Sequence, residues 1–159
     1  MTDTTIRKAL SSAVADVLES MFFLEALGET TEPPPQAEAV VARVTFDGDP
    51  PGCFHMRLAR PAVNAVAADF LGEDAESLTE QQSREVTLEL ANMICGAVLS
   101  RIESSASFRL GTPEILPGET SAPGSSEATR YTVDTGSGAL TVAIQMETPS
   151  CSPTERYAS

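Results

Sequence analysis

The longest regular segment of the sequence contains the run EVTLELANMICGAVLS at residues 85–100. It follows Thr79 and Gln82, whose three-residue spacing is typical of a capping box at the start of a helix. No proline lies between Thr79 and Pro113. The pattern therefore predicts one long helix from Thr79 to about Ser105. Most of its side chains are apolar, so we expect the helix to be buried on most sides.

One narrow polar stripe runs along this predicted helix. At about 100° per residue, its members fall within a sector about 80° wide. They are Glu85, Glu89, Asn92, Gly96, Ser100 and Glu103. Glu89 and Asn92 are three residues apart and are expected to project side by side. Gly96 costs about 1 kcal/mol of helix propensity relative to alanine, yet it leaves space for another molecule to approach. A solvated face with a packing glycine has the same pattern, so spacing alone leaves both interpretations open.

The flanking sequence completes an α+β pattern. Apolar residues recur every three or four positions in Ile6–Leu24 and in Ala62–Leu71, which predicts two more helices. Alternating apolar and polar residues predict hairpins at 40–58 and 129–146 and a short strand at 108–110. The order helix, two strands, two helices, three strands predicts a mixed, largely antiparallel sheet with the helices on one side.

The length of 159 residues fits a single domain. We expect this domain to span residues 1–147, followed by a flexible tail at 148–159. Residues 117–128 are rich in Pro, Gly, Ser and Glu, which is typical of a mobile loop.

The composition excludes several classes of protein. Ten Lys and Arg residues against 23 Asp and Glu give a net charge of −13, so nucleic acid is not an expected partner. No apolar run is long enough to span a membrane and no signal peptide is evident, so we expect a cytoplasmic protein without membrane contact.

Three cysteines without C-x-x-C spacing are expected to be free thiols. His55 is the only histidine and is expected to be structural, so no metal site is predicted.

The segment Glu89-Leu-Ala-Asn-Met-Ile-Cys-Gly96 resembles the E-x-x-N signature helix of the CheC/CheX family of chemotaxis response-regulator phosphatases. Residues 46–72 resemble that family's first hairpin and following helix, and residues 108–113 resemble the strand and proline after its signature helix. The similarity spans approximately residues 6–146. Two-site relatives carry a second E-x-x-N where this chain has Glu19-Ser-Met-Phe22, so the single motif points to the CheX branch.

The resemblance implies a phosphatase that accelerates hydrolysis of the aspartyl phosphate on a CheY-like receiver domain, in chemotaxis or two-component signalling. Asn92 would position the attacking water, and Glu89 would pair with a lysine of the receiver. Glu85, where the family tends to place Asp or Ser, and Gly96 would contribute to binding. The chain would need no cofactor of its own, because Mg²⁺ is expected on the receiver.

The resemblance also implies a homodimer paired through sheet strands. Two other interpretations remain open. One is a non-catalytic CheC-like module that binds a receiver or a flagellar-switch partner. The other is a purely structural dimer that binds no receiver domain.

Overall fold

A computed structural model describes residues 3–21, 39–48, 51–102, 108–116, 129–135 and 138–146. The described helices are α1 (Asp3–Met21), α2 (Arg60–Leu71) and α3 (Glu80–Ile102), with a short 3₁₀ turn at Ala75–Ser77. The described strands are β1 (Ala39–Asp47), β2 (Gly52–Ala59), β3 (Arg109–Leu110), β4 (Glu114–Leu116), β5 (Thr129–Asp134) and β6 (Ala139–Met146). None of these helices is long and apolar enough to cross a membrane.

The strands form one sheet in the order β3-β1-β2-β6-β5, and β4 also pairs with β1. Every pairing between the described strands is antiparallel. The predicted α+β class is therefore confirmed, with a sheet that is antiparallel throughout the described strands. Both predicted hairpins are present, because β1 pairs with β2 and β5 pairs with β6.

The core lies between the three helices and one face of this sheet. Because side chains alternate along a strand, that face is formed by every second residue of the central strands. These residues are Ala42, Val44 and Phe46 of β1, Phe54, Met56 and Leu58 of β2, and Leu140, Val142 and Ile144 of β6. Buried residues of α1, α2 and α3 join the same cluster. The prediction that the helices pack on one side of the sheet is confirmed.

The structure adds one strand to the predicted order. β4 follows Pro113 directly and pairs with β1 through Ile115 opposite Ala42. Three residues are too few for an alternating pattern to be recognised, so the sequence did not reveal it. α3 is described as far as Ile102, and α1 as far as Met21. The predicted continuations of both helices, the loop at 117–128 and the tail at 148–159 lie outside the described residues.

The expectation that all three cysteines are free is wrong at Cys53. Cys53 is disulfide-bonded, and its partner lies outside the part of the chain that the structure describes. Cys95 is a free, buried thiol, as expected. Chain folding can bring together two cysteines that are far apart in sequence, so the spacing rule could not reveal this pairing.

The sheet face opposite the helices carries a group of basic side chains. His55 lies opposite Arg43 in the β1–β2 pairing, and Arg57 is two residues further along β2. Arg43 forms an ion pair with Glu114 at 2.5 Å. The Nε and Nη2 atoms of Arg57 are buried and have no hydrogen-bond partner among the described residues. His55 lies in a strand, as the sequence predicts, and has Arg43 directly opposite it.

This environment predicts that His55 makes folding sensitive to acid. Burial lowers the pKa of His55 from 6.5 to about 4, and Arg43 and Arg130 add repulsion of the imidazolium. The unfolded chain therefore binds a proton that the folded chain excludes, so stability present above pH 6.5 is lost as the pH falls towards 4. His55→Gln should remove this component, on the order of 1–3 kcal/mol.

Urea unfolding of both proteins between pH 7 and pH 4.5 measures the difference directly. The carboxylates of both proteins titrate over the same pH range. Any difference between the two stability curves therefore comes from position 55. Parallel stability curves for the two proteins would contradict this role of His55.

Candidate functional site

The helix α3 positions the candidate site and begins at the predicted capping box. The Gln82 amide donates to Thr79 Oγ1 at 3.1 Å, and the Thr79 amide donates to Gln82 Oε1 at 2.9 Å. Such a box pairs amides that the first helical turn leaves without intrahelical acceptors. One face of α3 is buried through Val86, Thr87, Leu90, Ala91, Ile94, Cys95, Val98 and Leu99. Both α1 and α2 pack against α3, so only the opposite side remains accessible.

The predicted polar stripe lies on that accessible side. Glu85, Glu89 and Ser100 are exposed, while Asn92 and Gly96 are half-buried. The sixth member, Glu103, lies outside the described residues. The accessible surface is wider than the sequence predicts, because three apolar neighbours are also only half-buried. They are Leu88, Met93 and Ala97, which give the polar residues an apolar border.

Hydrogen bonding divides the stripe into engaged and free side chains. Gln81 Nε2 donates to Glu85 Oε2 at 2.7 Å, and Ser100 Oγ donates to the Ala97 carbonyl at 3.0 Å. Glu89 and Asn92 form no side-chain hydrogen bond or ion pair with the described residues. Their carboxylate and amide are therefore adjacent, accessible and available to a partner.

Gly96 lies one helical turn beyond Asn92, beside β3. A Cβ atom built on Gly96 would have Leu110 Cδ2 as its nearest neighbour, at 4.0 Å, which is ordinary van der Waals contact. Phe108 fixes the start of this segment through an edge-to-face contact with Phe46, with ring centroids 5.8 Å apart. The packing of the described residues therefore does not require glycine at position 96. This observation disfavours the interpretation of Gly96 as an internal packing residue.

A polar contact that the sequence did not reveal joins the far end of α3 to α1. Arg101 Nη2 forms an ion pair with Asp16, and Arg101 Nε donates to Ser12 Oγ at 3.2 Å. The two helices pack along each other, so this contact helps to fix their register. Arginine and aspartate separated by 85 positions have no recognisable spacing, and only the fold brings them together.

Other reactive groups are not placed to act with the stripe. Cys95 faces the core, and burial raises the pKa of its thiol to about 12, so it is not an available nucleophile. His55 lies on the opposite face of the sheet. Among the described residues, no group of three or more His, Cys, Asp or Glu side chains is arranged to hold a metal ion. Glu89 and Asn92 remain the candidate pair.

Solved structures with this fold include chemotaxis proteins. CheX from Desulfovibrio desulfuricans is 20% identical, with a TM-score of 0.70 over 89% of this chain and 99% of that chain. CheX from Vibrio vulnificus is 18% identical, with a TM-score of 0.72 over 92% and 99%. A chain in the CheX-CheY-BeF₃-Mg²⁺ complex from Borrelia burgdorferi is 16% identical, with a TM-score of 0.67 over 89% and 97%. Among curated protein sequences, none matches this chain.

The family comparison is more specific than the fold. The model of the family described as chemotaxis phosphatase CheX matches residues 40–136. The matched region covers more than half of the chain and includes the whole of α2 and α3. This chain belongs to the CheX family, and the family resemblance predicted from the sequence is confirmed.

The free space beside Gly96 predicts that Gly96→Ala stabilises the isolated protein. Alanine removes the helix-propensity cost of glycine, about 0.5–1 kcal/mol. Among the described residues, the added methyl group would meet only Leu110, at ordinary contact distance. Thermal or urea unfolding of the variant should show this gain. A loss of stability would mean that the chain itself needs glycine at this position.

Proposed function

We propose that this protein accelerates the hydrolysis of the aspartyl phosphate on a CheY-like receiver domain. The observation that carries the proposal is the free pair Glu89 and Asn92 on the accessible side of α3, within the region matched by the family of chemotaxis phosphatases. A solved structure with the same fold is of a CheX-CheY complex, which supports a receiver as the partner. A cytoplasmic location agrees with such a partner.

Asn92 is the proposed group for positioning water. An aspartyl phosphate is a labile acyl phosphate, so its hydrolysis chiefly requires a water molecule in line with phosphorus and compensation of charge. A carboxamide both accepts and donates a hydrogen bond, and it does so without changing its protonation state. Because Asn92 is half-buried and has no partner among the described side chains, its amide is free for this task while its position on α3 is fixed.

Glu89 is the proposed docking group. Its carboxylate is one turn from Asn92 on the same side of α3, where it can pair with a lysine of the receiver in a charge-assisted hydrogen bond. That bond would fix the register in which Asn92 meets the phosphate. The chain would contribute no cofactor, since the Mg²⁺ of this reaction is expected on the receiver.

Glu85 and Gly96 are proposed to shape the binding surface around this pair. Glu85 is held by Gln81 through one carboxylate oxygen, so it is already oriented before any partner docks. Gly96 adds no side chain between the receiver and the surface of α3, and the half-buried apolar residues beside the stripe provide area for contact. Neither residue has to reach the phosphate.

The proposed division of roles predicts different effects for three alanine variants. Asn92→Ala removes the group that positions water, so it should lower the turnover of the phosphorylated receiver much more than it lowers affinity. Glu89→Ala should weaken both turnover and affinity, because it leaves the receiver lysine unpaired. Glu85→Ala should change affinity by at most about tenfold, or roughly 1.4 kcal/mol. The measurement is loss of phosphate from a purified receiver, with binding followed separately.

Ser100→Ala is the matched control, since Ser100 is on the same stripe but bonds to its own helix. The three alanine variants and the control all change exposed or half-buried residues, so each should have nearly the melting temperature of the wild type. A fully active Asn92→Ala, or a wild-type protein that accelerates no receiver, would overturn the catalytic proposal. Binding without acceleration would establish the alternative, a module that binds a receiver or a flagellar-switch partner.

We also propose a homodimer joined through sheet strands. β5 forms one edge of the described sheet, and Lys8 is the only lysine of the chain, so lysine does not protect this edge from pairing. Light scattering at micromolar concentration should give twice the mass of one chain. A mass of one chain across that range would contradict the dimer.

A further inference from the structure

We propose a second binding site, for a small organic anion, in the cavity between the first turns of α2 and α3. The cavity has a volume of about 300 Å³, at the lower end of the range of small-molecule sites. It does not include the Glu89–Asn92 pair, and the proposal does not depend on phosphatase activity. Its described polar lining includes Arg60, Asn64, Glu80, Ser83 and Arg84.

The charge balance of this cavity indicates an anionic ligand. Arg60 and Arg84 are exposed at its rim, and neither forms an ion pair or hydrogen bond with the described residues. Glu80 is the one acidic side chain in the described lining. Two unpaired guanidinium groups at one cavity are notable in a chain with a net charge of −13. A carboxylate or phosphate could accept from both in the paired geometry that arginine favours.

Three arginines elsewhere in the described part of the chain are already engaged. Arg43 pairs with Glu114, and Arg101 pairs with Asp16. Arg7 Nη1 donates to the Arg130 carbonyl at 2.5 Å. Arg60 and Arg84, in contrast, have no such contact with the described residues, and both line the same cavity.

Uncharged donors in the lining reinforce this preference. The Asn64 amide and the Ser83 hydroxyl form no side-chain hydrogen bond with the described part of the chain, so both remain able to donate. Thr87 is buried at the cavity, and its hydroxyl already donates to the Ser83 carbonyl at 2.7 Å. The unengaged donors therefore outnumber the single carboxylate of Glu80, which favours a ligand rich in acceptors.

The interior of the cavity adds a second requirement. Its described lining also includes four apolar residues, Val40, Val63, Leu78 and Ile115, together with Thr79. Inorganic phosphate would leave this surface uncovered, whereas a ligand with a short apolar body would bury it. The ligand class is therefore a small amphipathic carboxylate or phosphate monoester, with the charged group at the arginines.

Phenyl phosphate and benzoate are suitable probes of the two headgroups, and benzyl alcohol is the uncharged control. Titrations are followed by the backbone amide signals of the isotope-labelled full chain. At least one of the two anions should shift the amide signals of Ser83, Arg84 and Thr87 until the shift saturates. The dissociation constant from this titration should be lower than that of inorganic phosphate or benzyl alcohol. The headgroup that binds better identifies the class of ligand.

The double variant Arg60→Gln/Arg84→Gln should weaken binding of that anion by about tenfold or more. Both residues are exposed, so the variant should retain the dispersed spectrum of a folded protein. Arg109→Gln is the control, because it also replaces an arginine by glutamine but lies outside the cavity lining. It should alter the affinity for the anion by less than about twofold.

Three results would overturn the proposal. They are no saturable shift with either anion, equal binding by the double variant, and benzyl alcohol binding as tightly as the anions. Phosphatase assays do not enter the test, so its outcome is separable from that of the proposed catalytic function.

Discussion

The burial of one face of α3 is the constraint on which the rest of the structure depends. Leu90, Ile94 and Val98 lie on that face, are fully buried, and connect α3 to the core that the sheet and the other helices share. Each such side chain contributes about 1.5–3 kcal/mol by leaving water. The orientation of α3 about its own axis is thereby fixed, and the direction in which Glu89 and Asn92 project follows from it.

Much of this arrangement could be predicted from the sequence, because it depends on periodic patterns. The helical spacing around Glu89, the capping box at Thr79 and the alternation in the two hairpins all gave elements that the structure confirms. The side of α3 that carries Glu89 and Asn92 could also be predicted, since polar positions at helical spacing necessarily share a face. The chemical roles of the pair stay predictions.

The remaining features depend on contacts between distant parts of the chain. β4 is too short for an alternating pattern, and the disulfide of Cys53 and the contact of Arg101 with α1 arise only when separate elements meet. Which side chains of the stripe are free and which are hydrogen-bonded also could not be predicted from the sequence. Glu85 and Glu89 are the same residue type on the same stripe. Only the structure shows that Gln81 donates a hydrogen bond to Glu85 and leaves Glu89 free.

The division of α3 into a buried face and an accessible face has a consequence for how such proteins diversify. Substitutions at the accessible positions alter what a partner meets, but they leave the hydrophobic contacts that determine folding unchanged. A lineage can therefore change the surface that this helix presents by small steps, without passing through unstable intermediates. Duplicated copies could diverge by the same route, each keeping its buried core while its accessible face changes.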